Sequence, residues 1–336
     1  MTAPESSDCS PSLDFCQANN RQRGSRITFA RSKKLPGRQT ETVLLLAAVV
    51  QSGVAPAIQH RQIMRPLRIS AISFLNTAPL MWNFEHQPTA EIASNFEISY
   101  TVPSQCAQAL HEGTADIGIV PVITYATIPD LVVIPRVTIA ARGPVRSILL
   151  ISKVPIEQIE TVAVDSSSRT SVGLTQVLLT KFFGGRRPLV SMEPVLEPML
   201  ARCDAALIIG DPALLINANG FYSYDLAQVW FERTGKPFVF AVWAVRRQAL
   251  EKMRPGLPVA EIFQRSRDAG LQPENVERIA CDWSRHLGLS PEEISSYLTR
   301  NIYYDLDEPC LEGLRLFFDY AAECGAAPQA PALSFL

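Results

Sequence analysis

Residues 67–82 read LRISAISFLNTAPLMW. The apolar run 67–72 predicts a buried strand, and the turn at 74–79 leads into a helix with Pro79 at its first position. The same order of apolar strand, polar turn and helix returns at residues 162–183. Short apolar strands that alternate with helices are typical of α/β domains with largely parallel sheets.

The spacing of these units predicts two lobes. Strand-like runs at 147–151 and 238–245 bracket about ninety residues, and both are expected to cross between the lobes. The predicted parts are lobe I at 64–147 and 244–325, lobe II at 148–243 and a frayed tail at 326–336. Two α/β lobes joined by a double-strand hinge enclose a central cleft, as in periplasmic-type solute-binding folds. Ligands of such sheets gather at the carboxyl ends of the strands.

Composition narrows the class of protein. The chain has 336 residues, of which 47% are hydrophobic and 19% charged, which indicates a globular protein of about two domains. A formal net charge of −2 argues against a nucleic-acid partner. The seven cysteines show no CxxC pair and fit a reducing compartment. The cysteine spacing thus indicates no metal site. The polar motifs at 73–77 and 165–171 lead us to expect a small-molecule substrate, with no organic cofactor and no membrane partner.

Residues 1–63 differ from the rest of the chain. They carry 8 basic and 4 acidic residues, against 23 basic and 29 acidic residues in the remainder. One interpretation is a secretory leader, with a basic region at 31–38, an apolar core at 43–50 and a cleavage site at 55–57. We favour a disordered or non-native extension before a start near Met64, because the basic region follows a long polar segment. A mature N-terminus near Met64 indicates a cytoplasmic protein, and one just after Ala57 an exported protein.

Two polar motifs follow predicted strands and open helices. In the first, Ser73, Asn76 and Thr77 lie beside a helix N-terminus, where backbone N–H groups favour an anion. The alternative is an ordinary cap by Asn76 or Thr77. The second motif concentrates hydroxyls and a guanidinium suited to a carboxylate or phosphate, at Ser166, Ser167, Arg169, Thr170 and Ser171.

Two further motifs supply candidates. Arg146 and Ser147 precede the first predicted crossover strand, so Ser147 is expected to face the hinge, and Arg146 is either a ligand or a surface charge. Asp211 is either an acceptor in the cleft or a cap for a helix that Pro212 starts. The chain has no nucleotide-binding glycine motif, no H-E-x-x-H and no G-x-S-x-G, which argues against those enzyme classes.

Seven runs of the chain carry a resemblance to a known family. They are SFLNTAPL (73–80), TADIGIVPVITYA (114–126), GPVRSILL (143–150), DSSSRTSV (165–172), ALIIGDPAL (206–214), YDLAQVWFERTGKPFVFAVWAVRR (224–247) and YLTRNIYYDLDEPCLEGLRLFFDYA (297–321). In this order they resemble the chorismate dehydratases, the first enzymes of the futalosine route to menaquinone. The resemblance covers nearly all of 64–325 and leaves out 1–63.

The resemblance implies a cytoplasmic lyase with a two-lobed periplasmic-binding-protein type II-like fold. Its reaction converts chorismate to 3-[(1-carboxyvinyl)oxy]benzoate and water. By resemblance, Asn76 and Ser147 are the catalytic residues, which position the substrate and assist departure of its hydroxyl. The hydroxyl-rich motif at 166–171 holds carboxylates, and the proton acceptor is expected to be the substrate's own enolpyruvyl carboxylate.

Two alternatives stay open at this point. The sister enzyme that makes 1,4-dihydroxy-6-naphthoate shares the fold and is expected to use a histidine base, for which His86 and His111 are the candidates. The other alternative is a non-catalytic, exported solute-binding protein, since a fold does not fix a function. The sequence also leaves open whether the chain forms a homodimer.

Overall fold

Ten strands form two five-stranded sheets within the residues that the computed structural model describes, which are 65–86, 88–165 and 168–336. The predicted extension at 1–63, together with Ser166 and Ser167, lies outside the described residues. The strands are β1 Leu67–Ile72, β2 Phe96–Thr101, β3 Ile117–Pro121, β4 Leu131–Ala141, β5 Ile148–Ser152, β6 Val162–Asp165, β7 Leu189–Met192, β8 Ala205–Ile209, β9 Tyr222–Asp225 and β10 Phe238–Arg246.

The first sheet has the order β2-β1-β3-β10-β4 and the second β7-β6-β8-β5-β9. The pairs of β1 with β2 and β3, and of β6 with β7 and β8, are parallel. The pairs that involve β5 or β10 are antiparallel. The prediction of largely parallel sheets is therefore correct for half of the strand pairs. It is wrong for the other half because β5 and β10 each enter their sheet from the other sheet, β5 directly after β4 and β10 after the helix Leu226–Thr234. Neither strand therefore follows a neighbour of its own sheet through the helical crossover that joins parallel strands.

Strand β10 belongs to the first sheet over its whole length. It pairs with β4 from Phe238 opposite Ala141 to Arg246 opposite Leu131. Eight of its nine residues are buried, since the strand is apolar on both faces and lies between β3 and β4. Residues 238–243, predicted for lobe II, thus pair within the first sheet. The other lobe boundaries stay predictions.

Helices cover the sheets and connect the strands. They are α1 Trp82–Glu85, α2 Ala90–Asn95, α3 Pro103–Glu112, α4 Arg169–Phe182, α5 Leu196–Arg202, α6 Asp211–Leu214, α7 Leu226–Thr234, α8 Arg247–Leu250, α9 Val259–Gly270, α10 Pro273–Leu287, α11 Pro291–Ser296 and α12 Glu308–Glu323. Three 3-10 helices span Leu75–Met81, Val122–Ala126 and Ile156–Gln158, and a π-helix spans Tyr297–Asn301. No helix among the described residues is long and apolar enough to cross a membrane.

The turn after β1 differs from its prediction. Residues from Leu75 to Met81 form a 3-10 helix that contains Pro79, and the α-helix starts only at Trp82. The backbone N–H of Leu75, at the first position, is bonded by a carboxylate from a distant part of the chain. The helical turn therefore starts earlier than Pro79 because a tertiary contact satisfies its N-terminus.

The main hydrophobic core joins side chains of both sheets. Its largest fully buried members include Trp230, Trp243, Phe263 and Phe317. A smaller cluster lies against the second sheet and contains Ile151, Met199, Leu200 and Ile208 among others. Such close-packed contacts leave little room for added atoms, so a methyl group added at a closely packed residue such as Gly270 should be destabilising.

We expect Gly270→Ala to lower the free energy of unfolding by about 1–3 kcal/mol. An added Cβ at this last residue of α9 overlaps the backbone carbonyl of Pro79, which cannot rotate away as a flexible side chain can. Urea denaturation measures the change. Gly143→Ala is the control, because its Cβ lies 3.4 Å from the mobile Gln228 side chain. Equal stability of the two variants contradicts the predicted clash.

Candidate functional site

A narrow cleft lies between the two sheets and encloses about 70 Å³. Strands β1, β3, β4 and β10, the start of α3 and the 3-10 helix after β1 contribute from the side of the first sheet. Strands β5 and β8 and the start of α4 contribute from the side of the second sheet. The lining residues are Ile72, Phe74, Asn76, Pro103, Pro121, Ile139, Val145, Ser147, Ile148, Ser168, Thr170, Ser171, Ile209, Gly210, Phe240 and Ala241.

The cleft combines apolar walls with a few polar groups. Its polar side chains are hydroxyls and one amide, at Asn76, Ser147, Ser168, Thr170 and Ser171. Within the described part of the chain, no lining residue has a side chain that titrates. The site therefore offers hydrogen-bond donors and acceptors but no acid or base of its own.

Asn76 lies in the 3-10 helix that follows β1. The buried hydroxyl of Thr77 donates to its Oδ1 at 3.3 Å, which restrains the amide. The prediction grouped Thr77 with the substrate ligands, but Thr77 is not among the lining residues and instead contacts Asn76.

Ser147 lies between the sheets, directly before β5. It is 2% exposed, and its carbonyl accepts from the N–H of Gly210 at 2.8 Å. The preceding Arg146 has a φ of +64°, an uncommon conformation for a residue with a side chain. Its N–H donates to Asp225 Oδ2 at 2.6 Å, and this bond holds the strained backbone next to Ser147.

Tyr297 is a site residue that the sequence patterns did not predict. This buried side chain donates its hydroxyl to Ser147 Oγ at 2.9 Å. Tyr297 is 150 residues from Ser147 in the chain. The signal that could have found it is its position as the first residue of the last run that carries the family resemblance.

The start of α4 supplies the polar groups of the second sheet's side. Ser168 is the N-cap residue, and its side chain makes no capping hydrogen bond. Thr170 and Ser171 are both buried, and Thr170 Oγ1 accepts from the N–H of Ile123 at 3.3 Å, which links the two sides. The first N–H groups of a helix have no partner within the helix, so this end suits an anion.

The structure brings together Asn76, Ser147, Thr170 and Ser171, which line one cleft. The other described candidates lie outside the lining, and Ser73 and Arg169 are exposed. Arg146 contributes a backbone bond beside Ser147, as described above. Ser166 and Ser167, which were predicted to hold a carboxylate, lie outside the described residues.

Asp211 connects the two sides of the cleft. Its carboxylate accepts from the N–H of Leu75 at 3.1 and 3.3 Å. Asp211 is the first residue of α6, whose N-cap is Gly210 and which has no side-chain cap, so the interpretation of Asp211 as a cap for that helix is wrong. Burial raises the pKa of Asp211 to about 6, and the bond from Leu75 opposes this shift.

Gly210 allows a close approach across the cleft. Its φ is +68°, and a Cβ there would lie 3.0 Å from the ring of Phe74. A glycine is needed at this position for both reasons.

We expect Asp211→Asn to flatten part of the pH dependence of stability. A pKa raised in the folded state means that the folded state binds more protons, so stability falls as the pH rises from about 4 to about 6. Asparagine stays neutral and can still accept from Leu75. At pH 7.5 the variant should be more stable than the wild type by on the order of 1–2 kcal/mol.

Urea denaturation of both proteins at several pH values measures this difference, and the subtraction cancels the other titrating groups. A constant difference between pH 4 and pH 8 would contradict the role given to Asp211.

The two histidine candidates lie away from the cleft. His86 stacks on Trp82 with a centroid distance of 3.8 Å, and His111 is exposed in the last turn of α3. Neither lines the cleft. No group of three or more metal-ligating side chains occurs among the residues that the structure describes.

Comparison with known sequences relates this site to an enzyme family. A family model described as menaquinone biosynthesis matches residues 67–323. The chain is 30% identical over 286 residues to the chorismate dehydratase of Thermus thermophilus. This alignment covers 80% of the present chain and 98% of the relative.

Comparison with solved structures concerns the fold. The chain matches a protein from Archaeoglobus fulgidus with a TM-score of 0.61 and 15% identity, over 79% of this chain and 99% of the other. It matches the periplasmic aliphatic sulphonate-binding protein of Escherichia coli with a TM-score of 0.55 and 17% identity, over 79% and 94%. These matches confirm the predicted α/β fold of the periplasmic-binding-protein type.

Proposed function

The chain belongs to the menaquinone biosynthesis family, and from this membership we infer that it is a chorismate dehydratase, a hydro-lyase. The reaction converts chorismate to 3-[(1-carboxyvinyl)oxy]benzoate and water. A proton leaves ring carbon C3, and the hydroxyl leaves C4 with its bonding electrons. The ring thereby becomes aromatic.

The observation that carries the proposal is the chemistry of the cleft lining. Chorismate combines an unsaturated ring with two carboxylates. The apolar walls suit the ring, and the N-terminus of α4 with Thr170 and Ser171 suits a carboxylate. A bound ring carboxylate also stabilises negative charge that develops at C3, since the two are conjugated through the ring alkene.

We assign the departure of the hydroxyl to Ser147 and Asn76. Both line the cleft, and both can donate a hydrogen bond to the leaving oxygen. Such a donor lowers the barrier because the oxygen gains negative charge as the C–O bond breaks.

The proton acceptor is the substrate's own enolpyruvyl carboxylate. The described lining residues contain no histidine, lysine, aspartate or glutamate to take the C3 proton. The lack of a histidine in the described lining also argues against the sister enzyme that makes 1,4-dihydroxy-6-naphthoate, for which a histidine base is expected.

Substrate entry requires the cleft to open. A volume of about 70 Å³ is well below that of ordinary ligand pockets, which is about 300–1,000 Å³. Opening breaks the bonds from Leu75 to Asp211 and from Ile123 to Thr170. Closing restores them, excludes water and orients the substrate.

The test incubates the purified protein with chorismate, without added metals or cofactors, and follows the ultraviolet spectrum and the product mass. We expect an aromatic product that has lost the mass of one water. Tight chorismate binding without turnover contradicts the dehydratase and favours a solute-binding protein. The absence of both binding and turnover contradicts the assignment of chorismate as the substrate.

We also propose that the protein is cytoplasmic and acts in the futalosine route. Cys106, Cys203, Cys310 and Cys324 are buried thiols, which suits a reducing compartment. Cell fractionation tests the location, and loss of menaquinone in a deletion strain, restored by added product, tests the route. Light scattering distinguishes a monomer from the homodimer that the sequence leaves open.

A further inference from the structure

We propose that Tyr297 is a positioning residue that orients the hydroxyl of Ser147 toward the substrate's leaving oxygen. The proposal rests on the dehydratase function proposed above. Tyr297 is 1% exposed and is not among the lining residues, so it acts through Ser147 rather than on the substrate.

The hydrogen bonds of the Ser147 hydroxyl show how Tyr297 can orient it. A serine hydroxyl has one proton and two lone pairs. Tyr297, which is not among the lining residues, donates its own proton to Ser147 Oγ at 2.9 Å and occupies one of these lone pairs. The proton of Ser147 then remains for an acceptor in the cleft. Hydrogen bonds in such a chain polarise one another, which makes Ser147 a better donor.

The backbone around Tyr297 supports a fixed position. Tyr297 is the first residue of a π-helix, a rare form that is frequent at functional sites. At the end of that turn, Asn301 Nδ2 donates to the carbonyl of Pro144 at 2.9 Å. The π-helix is therefore attached at one end to Ser147 and at the other to the loop that precedes it.

Tyr297 remains a donor throughout the working pH range. Burial raises its pKa well above the ordinary value of a tyrosine, and the hydrogen bond with Ser147 only partly opposes this shift. A phenol that stays protonated cannot serve as the base for C3, which agrees with a positioning role.

The test is Tyr297→Phe, which removes one oxygen and keeps the ring. We expect kcat for chorismate dehydration to fall about 10- to 100-fold, because a small misplacement of a catalytic group has an effect of this size. KM should change less than about threefold, since the substrate's binding groups are untouched. The control is Tyr304→Phe. Tyr304 is also buried, and within the described residues its hydroxyl has no hydrogen-bond partner, so kcat should not change.

A double-mutant cycle separates positioning from packing. If Tyr297 acts through Ser147, adding Tyr297→Phe to Ser147→Ala should leave kcat nearly unchanged, because the group being oriented is gone. An equal further loss in that background overturns the proposal, and so does wild-type kcat in Tyr297→Phe.

Should Tyr297→Phe fail to fold, Tyr297→Leu and Tyr297→Met are measured in the same cycle, since both lack a donor and are smaller than the buried tyrosine, and the same criterion applies. An inactive wild-type protein overturns the proposed function and the positioning role together. An active wild type with an unaffected Tyr297→Phe overturns only the positioning role.

Discussion

Replacing Ser147 or Asn76 by alanine is expected to lower kcat for chorismate dehydration by about 100- to 1,000-fold. Removal of one preorganised donor from a developing oxyanion has an effect of this size. Both side chains line the cleft, and each can donate to the hydroxyl that leaves C4. Steady-state kinetics of the purified variants with chorismate measure the loss.

Folding must be shown separately for these variants. Ser147→Ala removes the acceptor of the Tyr297 hydroxyl, a change that costs about 1–3 kcal/mol when a buried donor loses its only partner. Ser94→Ala is the control, since Ser94 is exposed on α2. Near wild-type turnover of both folded cleft variants would show that the assignment of Asn76 and Ser147 is wrong.

Asp225→Ala is expected to produce the largest loss of stability, about 2–4 kcal/mol. The carboxylate caps α7 by accepting from the N–H groups of Ala227 and Gln228, and loss of a cap costs about 1 kcal/mol. It also accepts from the N–H of Arg146, and an unpaired buried N–H costs about a further 1–3 kcal/mol.

The position of Arg146 adds a functional effect. Its backbone is in the left-handed region, and the bond to Asp225 holds it there. We expect kcat to fall as well, because Ser147 follows directly and loses its fixed backbone. Urea denaturation measures stability, and steady-state kinetics measure turnover.

The variant Asp225→Asn tests whether the loss of stability comes from the hydrogen bonds that Asp225 accepts or from the charge of its carboxylate. Asparagine keeps an oxygen for the cap or for Arg146 and removes a carboxylate whose pKa is raised by burial. Its loss of stability should be less than about 1 kcal/mol, since asparagine is as good an N-cap as aspartate. Equal losses in the alanine and asparagine variants would contradict the accepted bonds as the source of the effect.

Local sequence patterns were sufficient for many of the strands and helices and for most of the polar residues that line the cleft. The alternation of apolar strands and helices predicted β1, β6 and α4, and the positions of polar turns after strands predicted Asn76, Thr170 and Ser171 as neighbours in one cleft. These features depend on nearby residues, through backbone propensity and the N–H groups that every helix exposes at its start.

The contacts across the cleft could not be predicted from local sequence patterns. Asp211 meets Leu75 over 136 positions, and Tyr297 meets Ser147 over 150. Nothing in the residues around Asp211 distinguishes an acceptor for another segment from a cap for its own helix. The antiparallel direction of β5 and β10 is also set by how the chain passes between the sheets.

This difference between local features and long-range contacts has a physical reason. Periodicity and turn residues reflect energies between neighbours in the chain, so the strands, the helices and the anion-binding helix start were present in the sequence. The partners of Ser147, Asp211 and Tyr297 depend on which buried surfaces pack together when the two sheets meet. Only that packing placed a phenol behind Ser147 and gave Asp211 a partner in Leu75.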